Sequence, residues 1–271
     1  MANVLSTEAV MTLESQHPFG KAWGNRPRAN VLKVRNKVQH TGPVFSWLWI
    51  EREETVSRYE DGAVRSAACH VHYEMLISTR FGQAEKGTFS GGWLPWSTGP
   101  DIVSLTSPNC GKGHVKLELP DELKGLRIGT YLMNEVVGWV KQWPDAMVNP
   151  VQLLAAQAYG DNKKRRNRFY EQFKLVFDYE NEETREAGVS RPMPASELAQ
   201  VDATQFEDWK EDIEEIDARE FTRKLLREND SLHAELRRAH RDYEHLSKLM
   251  AFARKRPISF AMAQLWDNGI T

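Results

Sequence analysis

The stretch between His114 and Glu180 most constrains what this chain can fold into. HVKLELP alternates Val115, Leu117 and Leu119 against Lys116 and Glu118, the period of a strand. DELKGLRIGTYLMNEVVGWVKQW follows, with Ile128, Leu132, Val136, Val140 and Trp143 at helical spacing and Pro144 as the stop. PVQLLAAQAYG is then almost wholly apolar, the pattern of a central strand covered on both faces. NKKRRNRFYEQF reads as a second helix and KLVFDYE as a further strand. Strand, glycine-containing loop, helix, strand, helix, strand predicts an α/β (α+β) fold, a mixed sheet flanked by helices.

Upstream, residues 1–40 are mixed, with a short helix expected around Ser6–Ser15 and a loop at HPFGKAWGNRPR. VFSWLWIERE is rich in aromatic and β-branched residues, as strands are. The turn signal YEDGA leads into a strictly alternating run. Ala67, Cys69, Val71, Tyr73, Met75 and Ile77 share one face, and Ala68, His70, His72, Glu74 and Leu76 the other. Two antiparallel strands joined by that turn are expected. Residues 82–113 are dense in Gly, Ser, Pro and Thr and read as a long loop. Trp93 and Trp96 within it are candidates for an acceptor pocket, or anchors of the loop.

Composition narrows the class. Among 271 residues, 36 Lys and Arg face 38 Asp and Glu, a net charge of -2, which excludes a strongly basic nucleic-acid binder while allowing a local basic patch. Nine Trp and eleven Phe exclude a disordered chain. Cys69 and Cys110 make no disulfide framework and no CxxC pair. No apolar run approaches the roughly 18 residues of a membrane span, and the first twenty residues carry no leader pattern. A cytoplasmic protein without membrane partners is expected.

Downstream the character changes. REAGVSRPMPASE reads as a linker, and from about Gln205 the chain is charged and helix-prone, with eight acidic residues between Glu207 and Glu220. A 4-3 repeat then runs through Leu225, Asn229, Leu232, Leu236, Ala239, Tyr243, Leu246, Met250 and Ala253. Asn229, Leu236, Tyr243 and Met250 take heptad position a, and the others take d. A single Asn at a, among leucines at d, suits a parallel two-stranded coiled coil, so a homodimer through this helix is expected; the alternative is a helix packed on its own domain. Pro257 ends the repeat, and the apolar tail ISFAMAQLW is expected to dock. The organisation expected is a domain over residues 1–190, then a linker and helical appendage over 191–271.

The loop at 119–130 is a candidate anion site. A loop that leaves a strand and opens a helix presents unpaired N–H groups at the positive end of the helix dipole. Gly125 and Gly129 let the backbone approach a ligand closely. LELPDELKGLRIGTYLMNEVV resembles the acetyl-CoA loop and helix of the GNAT superfamily of N-acetyltransferases, whose loop reads R/Q-x-x-G-x-G/A. Lys124 stands at the Arg/Gln position, Arg127 at the first glycine and Gly129 at the second. RNRFYEQFKLVF resembles the same family's second hallmark, an FYE helix end before a Gly-Phe pair, with Lys174 and Leu175 at the Gly-Phe positions. The resemblance covers roughly residues 40–180.

The resemblance implies a GNAT-like, mostly antiparallel sheet and transfer of acetyl from acetyl-CoA to an amine in a ternary complex. It places Leu117, Leu119, Lys124, Gly125, Leu126, Arg127, Ile128, Gly129 and Thr130 against the cofactor, joined by Asn162 and Arg166 from the second helix. It also makes Tyr170 the general acid for the departing thiolate. Glu118 and Glu74 are the candidate bases. The acceptor, whether protein, small molecule or nucleic acid, is not specified. Arg127 and Lys174, standing where the family has glycine, keep a rival reading open: a catalytically weak acetyl-CoA-binding protein whose coiled coil does the work.

Two other clusters carry weaker signals. His70, His72 and Glu74 share a strand face, but spacing of about 6.6 Å per pair puts the outer two about 13 Å apart, too far for one ion. No metal is expected. Lys163, Lys164, Arg165, Arg166 and Arg168 form a basic run suited to the 3′-phosphate of CoA, an acidic acceptor, a nucleic acid, or plain solvent.

Overall fold

The computed structural model describes residues 29–35, 44–77, 85–110, 119–120, 123–201 and 213–267. The expected helix at Ser6–Ser15, the expected strand residues 114–118 (Leu117 and Glu118 among them) and the acidic residues up to Asp212 lie outside these. The described residues fall into two units, one ending at Ala218 and one starting at Arg219.

The first unit is built on a long meander. Strands β1 (Ala29–Arg35), β2 (Val44–Arg58), β3 (Val64–Ile77), β4 (Lys86–Leu94) and β5 (Ile102–Ser104) pair successively and antiparallel. The YEDGA turn forms as read. Gly62 sits at φ 86°, its N–H donates to Tyr59 O at 2.9 Å, and Asp61 Oδ1 accepts from the Ala63 N–H at 2.9 Å. The alternation of β3 also holds, with Cys69 and Val71 fully buried and Glu74 and Leu76 exposed. Helix α1 (Ile128–Val140) connects β5 to β6 (Met147–Val148), and β5 and β6 run parallel. With β10 (Ile213–Asp217) on β1, the sheet order is β10-β1-β2-β3-β4-β5-β6. A second sheet holds β7 (Gln152–Leu153), β9 (Gly188–Ser190) and β8 (Phe177–Tyr179) in that order, antiparallel, with helix α2 (Asn162–Glu171) between β7 and β8. This is a mixed α/β fold with a large, mostly antiparallel sheet.

Four expectations need correcting. Residues 86–94 and 102–104 are strands rather than loop. Gly91 faces α1 so closely that a Cβ there would lie 2.7 Å from Val136 Cγ1, and one on Gly92 would lie 2.4 Å from Pro108 O. The glycines therefore mark close packing, not flexibility. The apolar run 150–160 is not a central strand of the main sheet. Only Gln152–Leu153 is extended, in the second sheet, and Ala155–Gln157 is a 3-10 turn. The strand joined to the main sheet is the shorter Met147–Val148 before it. The stretch 191–201, read as linker, buries Ala195, Leu198 and Val201 in the first unit's core. Finally, Ile213–Asp217 is a strand rather than a helix start. Its Glu214 lies 3.1 Å from Lys33 Nζ and 3.7 Å from an Arg35 nitrogen, and these cations hold its carboxyl below the usual range.

The second unit contains helix α3 (Ala218–Lys255, 38 residues) from its second residue onward, and helix α4 (Pro257–Asp267). Only Ala218 of α3 is buried, and Ile258 and Met262 of the apolar tail are exposed. No described helix is long and apolar enough to cross a membrane.

Candidate functional site

Helix α1 is apolar almost all round, with ten of its residues buried, so it is fixed in the core rather than laid on a surface. Its N-terminus is therefore a rigid point. Leu123, fully buried, anchors the loop before it and donates its N–H to Pro120 O at 2.9 Å. Lys124 is half-buried, Gly125 exposed at φ 82°, and Leu126 packs against the core. Arg127 takes the N-cap position at φ 64°, and no side chain caps the helix. The Tyr131 N–H donates to Arg127 O at 3.0 Å, which leaves the N–H groups of Ile128, Gly129 and Thr130 without an intrahelical acceptor. No acidic residue stands in the first turn. Among the described residues such an end has unspent donors, beside the positive pole of the dipole. A Cβ at Gly125 would meet nothing within 4 Å, so that stretch of backbone faces open space.

Helix α2 closes on this point. A Cβ on Gly129 would lie 3.1 Å from Leu119 Cδ1 and 3.5 Å from Phe169 Cε2, and Gln172 Nε2 donates to Thr130 Oγ1 at 3.1 Å. Leu119, Gly129, Thr130 and the C-terminal turn of α2 are thus brought together. Tyr170 is one residue from Phe169 and 4% exposed, its ring 5.1 Å from Phe169 and 5.7 Å from Phe177. Burial pushes its phenol well above the ordinary value, against the pull of Arg166, so it stays protonated across the physiological range.

The structure gives Asn162 and Arg166 structural partners. Asn162 Nδ2 donates to Gln157 O at 2.6 Å, and its Oδ1 accepts from Arg165 at 3.0 Å. The Arg166 guanidinium donates to Leu154 O and Glu186 O, both at 2.8 Å, and burial lowers its pKa. Arg166 therefore ties α2 to the second sheet. Lys164, Arg165 and Arg168 are the exposed members of the basic run.

Other candidates lie elsewhere. Gly91, whose Cβ direction points at α1, pairs with Cys69, so the odd residues of β3 face α1 and the even ones face away. Glu74 is exposed on that far face with His70 and His72. His70 Nδ1 lies 2.9 Å from Ser90 Oγ and His72 Nδ1 2.8 Å from Thr88 Oγ1. Among the described residues no group of three His, Cys, Asp or Glu side chains is placed to hold a metal. Trp93 is core, stacked on Trp143 at 5.4 Å, whereas Trp96 is half-exposed.

One cluster escaped the sequence reading. On the α1-facing side of β2, Arg52 follows the buried Leu48 and Ile50, and pairs with Glu54 and, at 3.2 Å, with Glu135 of α1. Glu54 Oε2 also accepts from Trp139 Nε1 at 3.2 Å. Burial opposes the Arg52 charge, but Cys69, Glu54 and Glu135 more than offset it and raise its pKa. The neighbouring Cys69 thiol is pushed up to about 12, chiefly by burial. The signal was present in the alternation Leu48, Ile50, Arg52, Glu54, Val56, where charges occupy inward positions. The cluster pins α1 across the sheet and so fixes where its N-terminus points.

No protein-family model, curated protein or solved structure matches this chain.

Proposed function

We propose that the first unit is an acetyl-CoA-dependent N-acetyltransferase of the GNAT type. The observation that carries this reading is the uncapped N-terminus of α1, preceded by left-handed backbone at Gly125 and Arg127 and met by the Tyr170-bearing end of α2. The N–H groups of Ile128, Gly129 and Thr130, without an acceptor among the described residues, suit a pyrophosphate, with Lys124 and Arg127 adding positive charge beside it. The departures from the family's glycines are compatible with this. Arg127 (φ 64°) and Lys174 (φ 66°) both adopt the left-handed backbone that glycine would supply.

In the transfer, the acceptor's neutral amine attacks the thioester carbonyl carbon. The N–C bond forms, the C–S bond breaks, and the thiolate takes a proton from Tyr170 while the amine's proton passes to a base. Glu118 stays the candidate base, whereas Glu74, on the sheet face turned away from α1, is not brought to this end of the helix. Holding both substrates at one end of α1 makes the step effectively intramolecular. The second unit serves as a homodimerisation helix.

Isothermal titration of the full chain with acetyl-CoA and CoA tests this. Micromolar binding, one site per chain, lost in Gly129→Trp while the circular dichroism spectrum is kept, is the expected result. Absence of binding at millimolar acetyl-CoA would overturn it.

A further inference from the structure

Helix α3 is exposed along an apolar stripe: Leu232, Leu236, Tyr243 and Met250 are 65%, 67%, 70% and 62% exposed. Its surface is also hollowed in a specific way. One depression is lined by Leu225, Glu228, Asn229, Leu232, His233 and Leu236. In a parallel two-stranded coiled coil, an a-position knob enters a hole of d, g, a and d residues, and a d-position knob enters one of a, d, e and a. Leu225, Glu228, Asn229 and Leu232 are the first set, and Asn229, Leu232, His233 and Leu236 are the second. The lining of the depression thus comprises two successive holes of the kind that Asn229 and Leu232 of another copy would enter.

The flanking positions set the orientation. Position g holds Glu228, Glu235 and Asp242, and position e holds His233 and His240. In a parallel pair g faces e of the next heptad on the other chain, so Glu228 meets His233 and Glu235 meets His240, twice each by symmetry. An antiparallel pair would set acid against acid and histidine against histidine. We infer that α3 forms a parallel, in-register homodimer whose interchain carboxylate–imidazole pairs make its association proton-linked, tightening as the histidines are protonated. This rests on the reading of the second unit as a dimerisation helix.

The sign follows from linkage. Pairing with a carboxylate favours imidazolium, so the histidine pKa is higher in the dimer than in the separated chains. The added affinity is present below the ordinary value of about 6.5 and is lost as pH rises through the dimer's value. His233 is flanked on its own helix by Asp230 and Arg237 and faces Glu228 of the other chain. His240 is flanked by Arg237 and by Glu244, whose Oε1 is 3.4 Å from Nε2, and faces Glu235 of the other chain.

Sedimentation equilibrium of the full chain at about pH 8 and about pH 6, at fixed ionic strength, tests this. The expected result is a dimer whose Kd falls about five- to tenfold between the two, as four exposed ion pairs would produce. His233→Gln combined with His240→Gln should leave a dimer and remove the pH dependence. Asn229→Cys should give an oxidised cross-linked dimer, because only the parallel register puts residue 229 opposite itself. A dimer with unchanged Kd would overturn the proton linkage. Absence of the cross-link in a dimer would overturn the orientation, and a monomer at both pH values would overturn both along with the dimer reading. Acetyl-CoA titration of the same samples reads the first unit separately, so failure there is distinguishable from failure here.

Discussion

Helices α1 and α3 carry apolar residues at similar spacing and treat them in opposite ways. In α1, Ile128, Leu132, Met133, Val136, Val137 and Val140 are all fully buried, and only three residues of the helix escape burial. In α3, Leu232 and Leu236 are two-thirds exposed and the helix buries Ala218 alone. The width of the stripe explains the contrast. VVGWV is apolar on every side, so it needs protein on every side. A strict a/d seam covers a narrow strip flanked by Glu, His and Arg, so it needs one partner helix and water elsewhere. The period alone reports that a face is to be covered, and the width reports by how much.

The largest effect should come from breaking the buried side of this contrast. Trp139 is 1% exposed, edge-on to Trp143 at 4.8 Å, and bonded to Glu54. Trp139→Ala should cost about 3–5 kcal/mol in urea unfolding of the first unit, while the Kd for self-association stays unchanged. A loss below about 1 kcal/mol would mean that α1 is not packed as described. Next comes a substitution that separates packing from chemistry. Tyr170→Phe keeps the ring that meets Phe169 and Phe177 but removes the proton, so kcat for acetyl transfer should fall about 100-fold with acetyl-CoA affinity retained. A kcat within a factor of two of the parent would remove Tyr170 from the mechanism.

The same contrast shows what could be read beforehand. The β3 alternation and the α1 periodicity were legible because each is a long pattern with one period. Strand β4 was hidden because FSGGWL reads as loop by composition. Its glycines are there because α1 and Pro108 come too close for any Cβ, a tertiary fact that no local rule contains. The crossover strand was misplaced by a few residues because Met147–Val148 is too short to show a period. At the candidate site, Gly125 before α1 marks the turn into the helix in the sequence itself, whereas Glu118 lies outside the described residues and the Gln172–Thr130 bond joins residues 42 apart that no local pattern connects. The Arg52, Glu54 and Glu135 cluster was missed because charges in an alternating strand read as an end of burial. Here they are paired with one another beneath α1.

Acid should move the two units in opposite directions. Burial, and then the neighbouring His72, hold His70 below the ordinary imidazole value. The unfolded chain then binds more protons between the two values, so the first unit loses stability as pH falls through about 6.5. Over that same interval the inferred α3 pairing should gain affinity. Melting of the first unit in the parent and in His70→Gln, between about pH 8 and pH 6, should show a shallower pH dependence in the variant. Identical slopes would show that His70 is not a group whose protonation opposes folding.

The smallest effect tests the left-handed backbone positions of Arg127 and Lys174. Lys174 follows α2 at φ 66°, exposed, with its N–H on Glu171 O at 2.9 Å. Left-handed backbone costs an L-residue roughly 1–2 kcal/mol, and glycine's greater freedom when unfolded returns part of that, so Lys174→Gly should stabilise the first unit by about 0.5–1 kcal/mol. Arg127 has the same backbone but sits at the α1 N-cap, where its carbonyl accepts the Tyr131 N–H. Arg127→Gly should therefore gain less stability, and if the loop holds pyrophosphate it should also weaken acetyl-CoA binding, which Lys174→Gly leaves alone. Equal gains with unchanged affinity in both variants would make Arg127 a backbone accident. A loss of affinity confined to Arg127→Gly would make its guanidinium part of the anion site.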